Sequence, residues 1–367
     1  MRRVLPLVVL LTAVACHRPQ GAPPTAHVAS IREIGLIPDP PGAGGRDVGF
    51  SASFGGHSVW VFGDTFFAVP AADGYRWRAS TWSWTDDADA RGGLTGWTHA
   101  LGADGKPLQL LPHTPGEQAF DDAHNGSPCP AGSDCGARHT AWPGAMVVDP
   151  LRGALVFYVR ERTQLAGSFF DYGSSIAVWP SPTAPTVRSA VANGPDPTDP
   201  TLLFGSDEPA WAAAAALDGD MLYAYACPGG LSSPCRVARA PLASALDRAA
   251  WRFFNGHDWS ADWRAGVAVL QGAPLMSVHF SAYLGKWVAY AMVPVSSAMS
   301  LSLADRPEGP WSDPELFGEG AAPQDGTWDY ALFAHPEFAR PGVEYLSYFQ
   351  PGRFLDGTVH LIELTYR

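Results

Sequence analysis

The stretch RDVGFSASFGGHSVWVFGDTFF, from Arg46 to Phe67, decides the fold. Two short apolar runs flank Gly55-Gly56, and such a pair marks a hairpin because both central positions of a type I′ turn need positive φ. Phe54 then faces His57, and counting outward along the two strands sets Asp47 opposite Asp64.

The same unit recurs along the chain. GAMVVDPLRGALVFYVR (144–160), AAAALDGDMLYAYA (213–226), LMSVHFSAYLGKWVAYAMV (275–293) and YALFAHPEFARPGVEYLSYF (330–349) each read as strand, turn, strand. Their first strands begin near positions 47, 144, 211, 276 and 330; leaving aside an insertion at about 86–140, the period is about 60 residues. Repeats of this kind with short strands and Gly/Pro punctuation predict an all-β chain, a five-bladed β-propeller over 29–367. A β-sandwich would also use short strands, but it has no need of the regular hairpin spacing. ASIREIGLI near the start pairs in this scheme with the C-terminal TVHLIELTY to close the ring, and only SALDRAAWRFF reads as helical or as a helical turn.

Carboxylates directly opposed across an antiparallel pair lie about 5 Å apart and repel each other. A shared proton or a cation relieves the repulsion, and proximity separates the two pKa values, which makes an acid and a base from one residue type. Asp47 and Asp64 therefore read as a catalytic pair, with metal ligation or splayed turn-capping residues as the alternatives. A separation of about 5 Å leans toward a retaining glycosidase, and a bulge would alter the register.

Further candidates lie where later units begin. Glu208 in FGSDEPAW is a third carboxylate or a surface acid, and His279 in MSVHFS and His335 in LFAHPEF face the same funnel or sit in the core. Asp329 and Glu337 flank His335, Glu337 with Arg340 as its other partner. Arg46 next to Asp47 either holds that carboxylate ionised or is an ordinary exposed charge. Trp142, Trp211 and Trp328 are placed to lie against sugar rings, although most of the 14 tryptophans must pack between blades. The segment EQAFDDAHNGS inside the insertion offers ligands for a structural calcium; no other cofactor is expected.

GRDVGFSASFGGHSVWVFGDTFF, WPGAMVVDPLRGALVFY, DGDMLYAYAC with VARAPLASALDRAAWRFFNG, MSVHFSAYLGKWVAYA with GPWSDPELF, and AHPEFARPGVEYLSYFQP together resemble domain-of-unknown-function family 4185. The resemblance spans roughly residues 31–366, and FGDTFF after the Gly-turn hairpin is its most specific phrase. Some members of that family resemble five-bladed glycoside hydrolases, including endo-D-arabinanases. The resemblance thus implies a hydrolase acting on a furanose-rich polysaccharide, with Asp47 and Asp64 at the matching acidic positions; a non-catalytic glycan-binding propeller is the other expectation.

The N-terminus speaks to compartment. MRRVLPLVVLLTAVAC joins Arg2 and Arg3 to an apolar run and small residues before Cys16, the grammar of an export signal with a lipidated cysteine, although Ala13 stands where Leu is usual. Residues 17–28 read as a Pro-rich tether. Setting Cys16 aside leaves Cys129 with Cys135 and Cys227 with Cys235, each pair able to close a small loop in an oxidising compartment. An exported protein held to the bacterial envelope only by its lipid, and monomeric, is expected. The net charge of −12 argues against nucleic acid, which needs Lys and Arg for its phosphates. GxSxG, Walker, GxGxxG-helix and HExxH patterns are all missing, so serine-hydrolase, nucleotide and zinc-protease chemistry lose support.

Overall fold

The computed structural model describes residues 27–125, 135–163, 169–321, 327–352 and 356–367. The signal, Cys16, nearly all of the tether and Cys129 lie outside the described residues.

Five antiparallel sheets make five blades. Blade 1 begins with the hairpin Ala43–Phe54 and His57–Phe67 and continues through Thr81–Thr85 and Thr98–His99. Blade 2 is Arg138–Asp149, Gly153–Thr163 and Phe169–Trp179. Blade 3 opens with Ala214–Asp218 and Met221–Ala226, and blade 4 with Ser277–Ser281 and Lys286–Met292. In blade 5, Tyr330–Ala334, Val343–Pro351 and Gly357–Tyr366 come from the C-terminal end, whereas the outermost strand is Val28–Ile37 from the beginning. That last pairing runs from Val28 opposite Tyr366 to Ile37 opposite Val359, closing the ring with backbone hydrogen bonds as the sequence predicts.

The second strand of each blade is packed on both faces, so it reads as a continuous apolar run instead of an alternation. In His57–Phe67 the residues Val59, Trp60, Val61 and Phe62 are all fully buried. Val59 and Val61 pack toward blade 2, against Val156 and Trp179, while Trp60 and Phe62 pack toward blade 5, against Tyr345 and Leu361. Similar apolar clusters fill the joints between blades 2 and 3, 3 and 4, and 4 and 5. The core is thus distributed around the ring, and the inner strands line its axis.

For SALDRAAWRFF the helical-turn reading holds and the α-helical one does not. SALDRAAWRFF forms two 3-10 turns, Leu242–Ser244 and Arg248–Ala250, and then the strand Arg252–Phe254. The α-helix lies instead at Pro115–Asn125 in the insertion, and it takes up most of EQAFDDAHNGS. Among the described residues no group of three or more His, Cys, Asp or Glu side chains is placed to hold a metal ion. Cys227 and Cys235 form a disulfide. Cys135 is also disulfide-bonded, and its expected partner, Cys129, is not among the described residues.

Candidate active site

The Gly55-Gly56 turn adopts φ of 61° and 89°, as a primed turn requires, and Phe54 pairs with His57. The predicted register holds from there to Phe50 opposite Val61 and again at Arg46 opposite Thr65. Between these points it breaks. Val48 pairs with Phe62, so Gly63 and Asp64 together face Asp47, and Gly49 is then the extra residue on the other strand. Two bulges compensate each other, with Val48 at φ 68° and Gly49 at φ 123°. Asp47 and Asp64 are therefore not a direct cross-strand pair, as counting from the turn implies; they meet across a bulge.

Glycine at 63 makes that meeting possible. A Cβ there would sit 2.4 Å from Asp47 Oδ1. Tyr330, which starts the inner strand of blade 5, donates its hydroxyl to Asp47 Oδ2 at 2.7 Å. Trp142, from the inner strand of blade 2, donates its indole N–H to Asp64 Oδ1 at 2.8 Å. Asp47 Oδ1 is buried with no hydrogen-bond partner among the described residues. Blades 1, 2 and 5 thus each deliver a group to one spot at the N-terminal ends of their inner strands.

Burial pushes the Asp47 carboxyl up to about 6, against the lowering effect of the Tyr330 hydroxyl. Asp64 rises further, to about 8, first through burial and then through the charge of Asp47, with the Trp142 bond and the cation of Arg138 working the other way. The two titrate as a pair that shares one proton over part of this range, with Asp64 the more strongly raised of the two. An ionised base and a protonated acid side by side is the arrangement that general acid–base cleavage needs.

The remaining candidates separate. Trp328 is exposed just ahead of the blade 5 inner strand, in a position to meet a ligand. Trp211 is fully buried among Phe204, Phe253 and the blade 2–blade 3 core, so it is no sugar platform. Glu208 is buried in an ion pair with Arg248 at 2.8 Å, which makes it structural and not a third site carboxylate. Arg46 is neither exposed nor bonded to Asp47: successive side chains of a strand point to opposite faces, and it lies 3.4 Å over the ring of Phe62, donating to Ser83 Oγ and the Pro38 carbonyl. Asp329 is buried, its Oδ2 pressed so close to Gly320 that a Cβ there would lie 2.3 Å away.

His279, His335 and Glu337 sit toward the other end of the axis. His279 and Glu337 line a cavity of about 460 Å³ formed by the inner strands of all five blades, including Ser51 and Ser53 but not the aspartates. Four to six residues of strand, roughly 13–20 Å, separate these serines from Asp47. His335 is buried there, bonded through Nδ1 to Ser51 Oγ and through Nε2 to Ser347 Oγ, and stacked on Trp60. Glu337 accepts from Ser51 and Ser58 rather than from Arg340, and His279 Nε2 faces Glu344 at 3.2 Å. The funnel assumed from the sequence to be one site thus has two ends.

Sequence reasoning missed Tyr330, Trp77 and Arg138. Tyr330 and Arg138 each begin an inner strand, and a search of the inner-strand starts is the signal that could have found them. Arg138 lies with its guanidinium carbon 3.5 Å over the Trp77 ring, and both act on Asp64.

Comparison with known proteins agrees with this architecture. The GH43_1 enzyme from Xanthomonas citri, solved with xylotriose, superposes with a TM-score of 0.52 at 14% identity, covering 89% of each chain. RS223 β-xylosidase gives a TM-score of 0.52 at 14% identity over 92% of this chain and 96% of its own. A Dyadobacter fermentans protein of unknown function gives 0.50 at 9% identity over 93% and 100%. At these identities the likeness is one of fold. No curated protein matches. Residues 40–361 match the family described as "Domain of unknown function (DUF4185)", and with that span covering most of the chain, the protein belongs to this family.

Proposed function

We propose that this protein is a glycoside hydrolase of the cell envelope that acts on a furanose-rich, arabinan-like polysaccharide. The observation that carries the reading is the pair of neighbouring carboxyls, Asp47 bonded by Tyr330 and Asp64 by Trp142, with Asp64 raised by burial and by the charge of Asp47. Glycosidase propellers of the same fold support it. Protonated Asp64 gives its proton to the leaving glycosidic oxygen as the bond to the anomeric carbon breaks. Asp47 supplies the negative charge opposite, either by attacking that carbon or by taking a proton from the incoming water. Water completes the hydrolysis, and the anomer first released, read by NMR, distinguishes the two routes. Trp142 and Tyr330 hold the carboxyls in place, and Trp328 is an open aromatic face for a sugar ring.

The test is a panel of arabinans and arabinogalactans with product analysis. Asp47→Asn and Asp64→Asn should each lower kcat by about 10²- to 10⁴-fold. Glycan binding without release of sugar by the wild type would leave a non-catalytic glycan-binding propeller; full activity in both variants would move the acid pair elsewhere. The sequence of an export signal ending at Cys16 supports a lipid anchor outside the cytoplasmic membrane, and mass spectrometry of the mature N-terminus should then find a diacylglyceryl cysteine at position 16.

A further inference from the structure

A cleft of about 450 Å³ opens beside Asp64, between blade 1 and the helix Pro115–Asn125. Tyr75, Trp77, His113, Gln118, Asp121 and Arg138 are among its walls. Arg138 stands out for what it lacks. Its guanidinium is partly buried and fixed against Trp77, yet among the described residues it has neither a hydrogen-bond nor an ion-pair partner. Three other arginines have carboxylate partners: Arg160 and Arg188 both bond Glu117, and Arg248 bonds Glu208. Within the same cleft Arg78 is bonded to Asp73.

Among the described residues the carboxylates whose fields reach Arg138 are Asp64 and Asp121, and neither comes within ion-pair distance. Burial raises both, which weakens what they contribute to balancing the cation. A guanidinium held flat by a ring presents its N–H fork in one plane, the geometry that matches a carboxylate or phosphate with two parallel bonds. Neutral hydroxyls can accept from the fork but do not compensate its charge.

We propose that this cleft is a binding subsite for an oxyanion, a carboxylate or a phosphate ester carried by the glycan, with Arg138 as its bidentate receptor. The identity of the chain as a cleaved glycan rests on the hydrolase reading; the anion site does not. Binding is measured by calorimetry at constant ionic strength with trigalacturonate, with its carboxyl-reduced counterpart and with arabinose 5-phosphate. At least one anionic probe should bind about tenfold or more tightly than the neutral one, the expected weight of a hydrogen bond to a charged group. Whichever anion leads identifies a uronate or a phosphoester as the source. Arg138→Gln should abolish the preference and Arg138→Lys restore only part of it. In the wild type, dicarbonyl labelling of Arg138, read by mass spectrometry, should slow about tenfold with the anion and not with the neutral sugar. Equal binding of charged and neutral probes, a preference that survives Arg138→Gln, or labelling without protection overturns the proposal. Anion-dependent binding with no bond cleavage in any glycan overturns the hydrolase reading alone.

Discussion

At the residue scale the site depends on which hydrogen bond holds which carboxyl. The Tyr330 hydroxyl lowers Asp47 and the Trp142 indole lowers Asp64, so removing either raises the pKa of its own partner. If Asp47 is the base and Asp64 the acid, kcat/KM rises as Asp47 ionises near pH 6 and falls as Asp64 ionises near pH 8. Tyr330→Phe should then move the acidic limb upward and leave the alkaline limb, while Trp142→Phe should move the alkaline limb upward and leave the acidic one. A pH–rate profile in which both variants shift the same limb contradicts the assignment. Gly63→Ala tests the geometry: its Cβ would meet Asp47 Oδ1 at 2.4 Å, so activity should drop sharply with about 1–3 kcal/mol of lost stability by denaturant titration. Both aspartates were legible because the Gly55-Gly56 turn counts residues locally. Tyr330 was not, because it reaches the site only through ring closure and no local pattern ties residue 330 to residue 47, and Arg138 was not, because it lies in blade 2 at the far end of the insertion at about 86–140.

At the element scale the sequence found a helical turn and missed the α-helix at Pro115–Asn125. SALDRAAWRFF carries helix formers, but Asp247 accepts from the Ala249 N–H, as the first turn of a helix begins, and the chain is then drawn into the blade 3 strand. The true helix starts at Thr114-Pro115-Gly116-Glu117, a capping box with proline at the first position: Thr114 N–H donates to Glu117 at 2.8 Å, and Glu117 N–H donates to Thr114 Oγ1 at 3.3 Å. That signal lay in the open beside a segment read only for calcium ligands. Glu117 also ties the helix to blade 2 by bonding Arg160 and to the following chain by bonding Arg188, and those guanidinia hold its carboxyl down to about 2 despite burial. Glu117→Ala would leave two buried guanidinia short of a partner, so about 3–5 kcal/mol of stability should be lost. Thermal melting checks this. The helix forms one wall of the Arg138 cleft, so a folded Glu117→Gln protein should also bind the anionic probes more weakly.

At the scale of the whole molecule the propeller was legible because each blade repeats one hairpin, and the Val28–Ile37 strand had a single partner left to find. What the repeat could not show is how many acids it buries. Among the described residues, burial raises eight carboxyls: Asp39, Asp47, Asp64, Asp121, Glu161, Asp171, Asp329 and Glu337. It lowers four imidazoles, those of His99, His113, His139 and His335. A raised carboxyl keeps a proton in the folded state that the unfolded chain has already released, so its contribution falls as pH rises from the unfolded value toward the folded one. A lowered imidazole does the reverse, since the unfolded chain holds the proton up to about pH 6.5. Around pH 5 the acids outnumber the imidazoles, and above pH 6.5 the imidazoles no longer contribute while Asp64, Asp121 and Glu161 are still titrating. The carboxyls of Glu117, Asp149, Glu344 and Glu363, held down in the fold, lose their contribution as pH falls below about 4.5. Stability should therefore peak between about pH 4 and 5 and decline toward pH 8, on the acid side of the expected activity maximum near pH 7. Melting temperatures across pH 4–9 measure this, and Asp64→Asn should flatten the alkaline part of the decline because the amide has no proton to lose. A wild-type melting temperature that climbs from pH 5 to pH 8 would mean that these carboxyls are not buried as described, and the acid–base roles drawn from that burial would go with it.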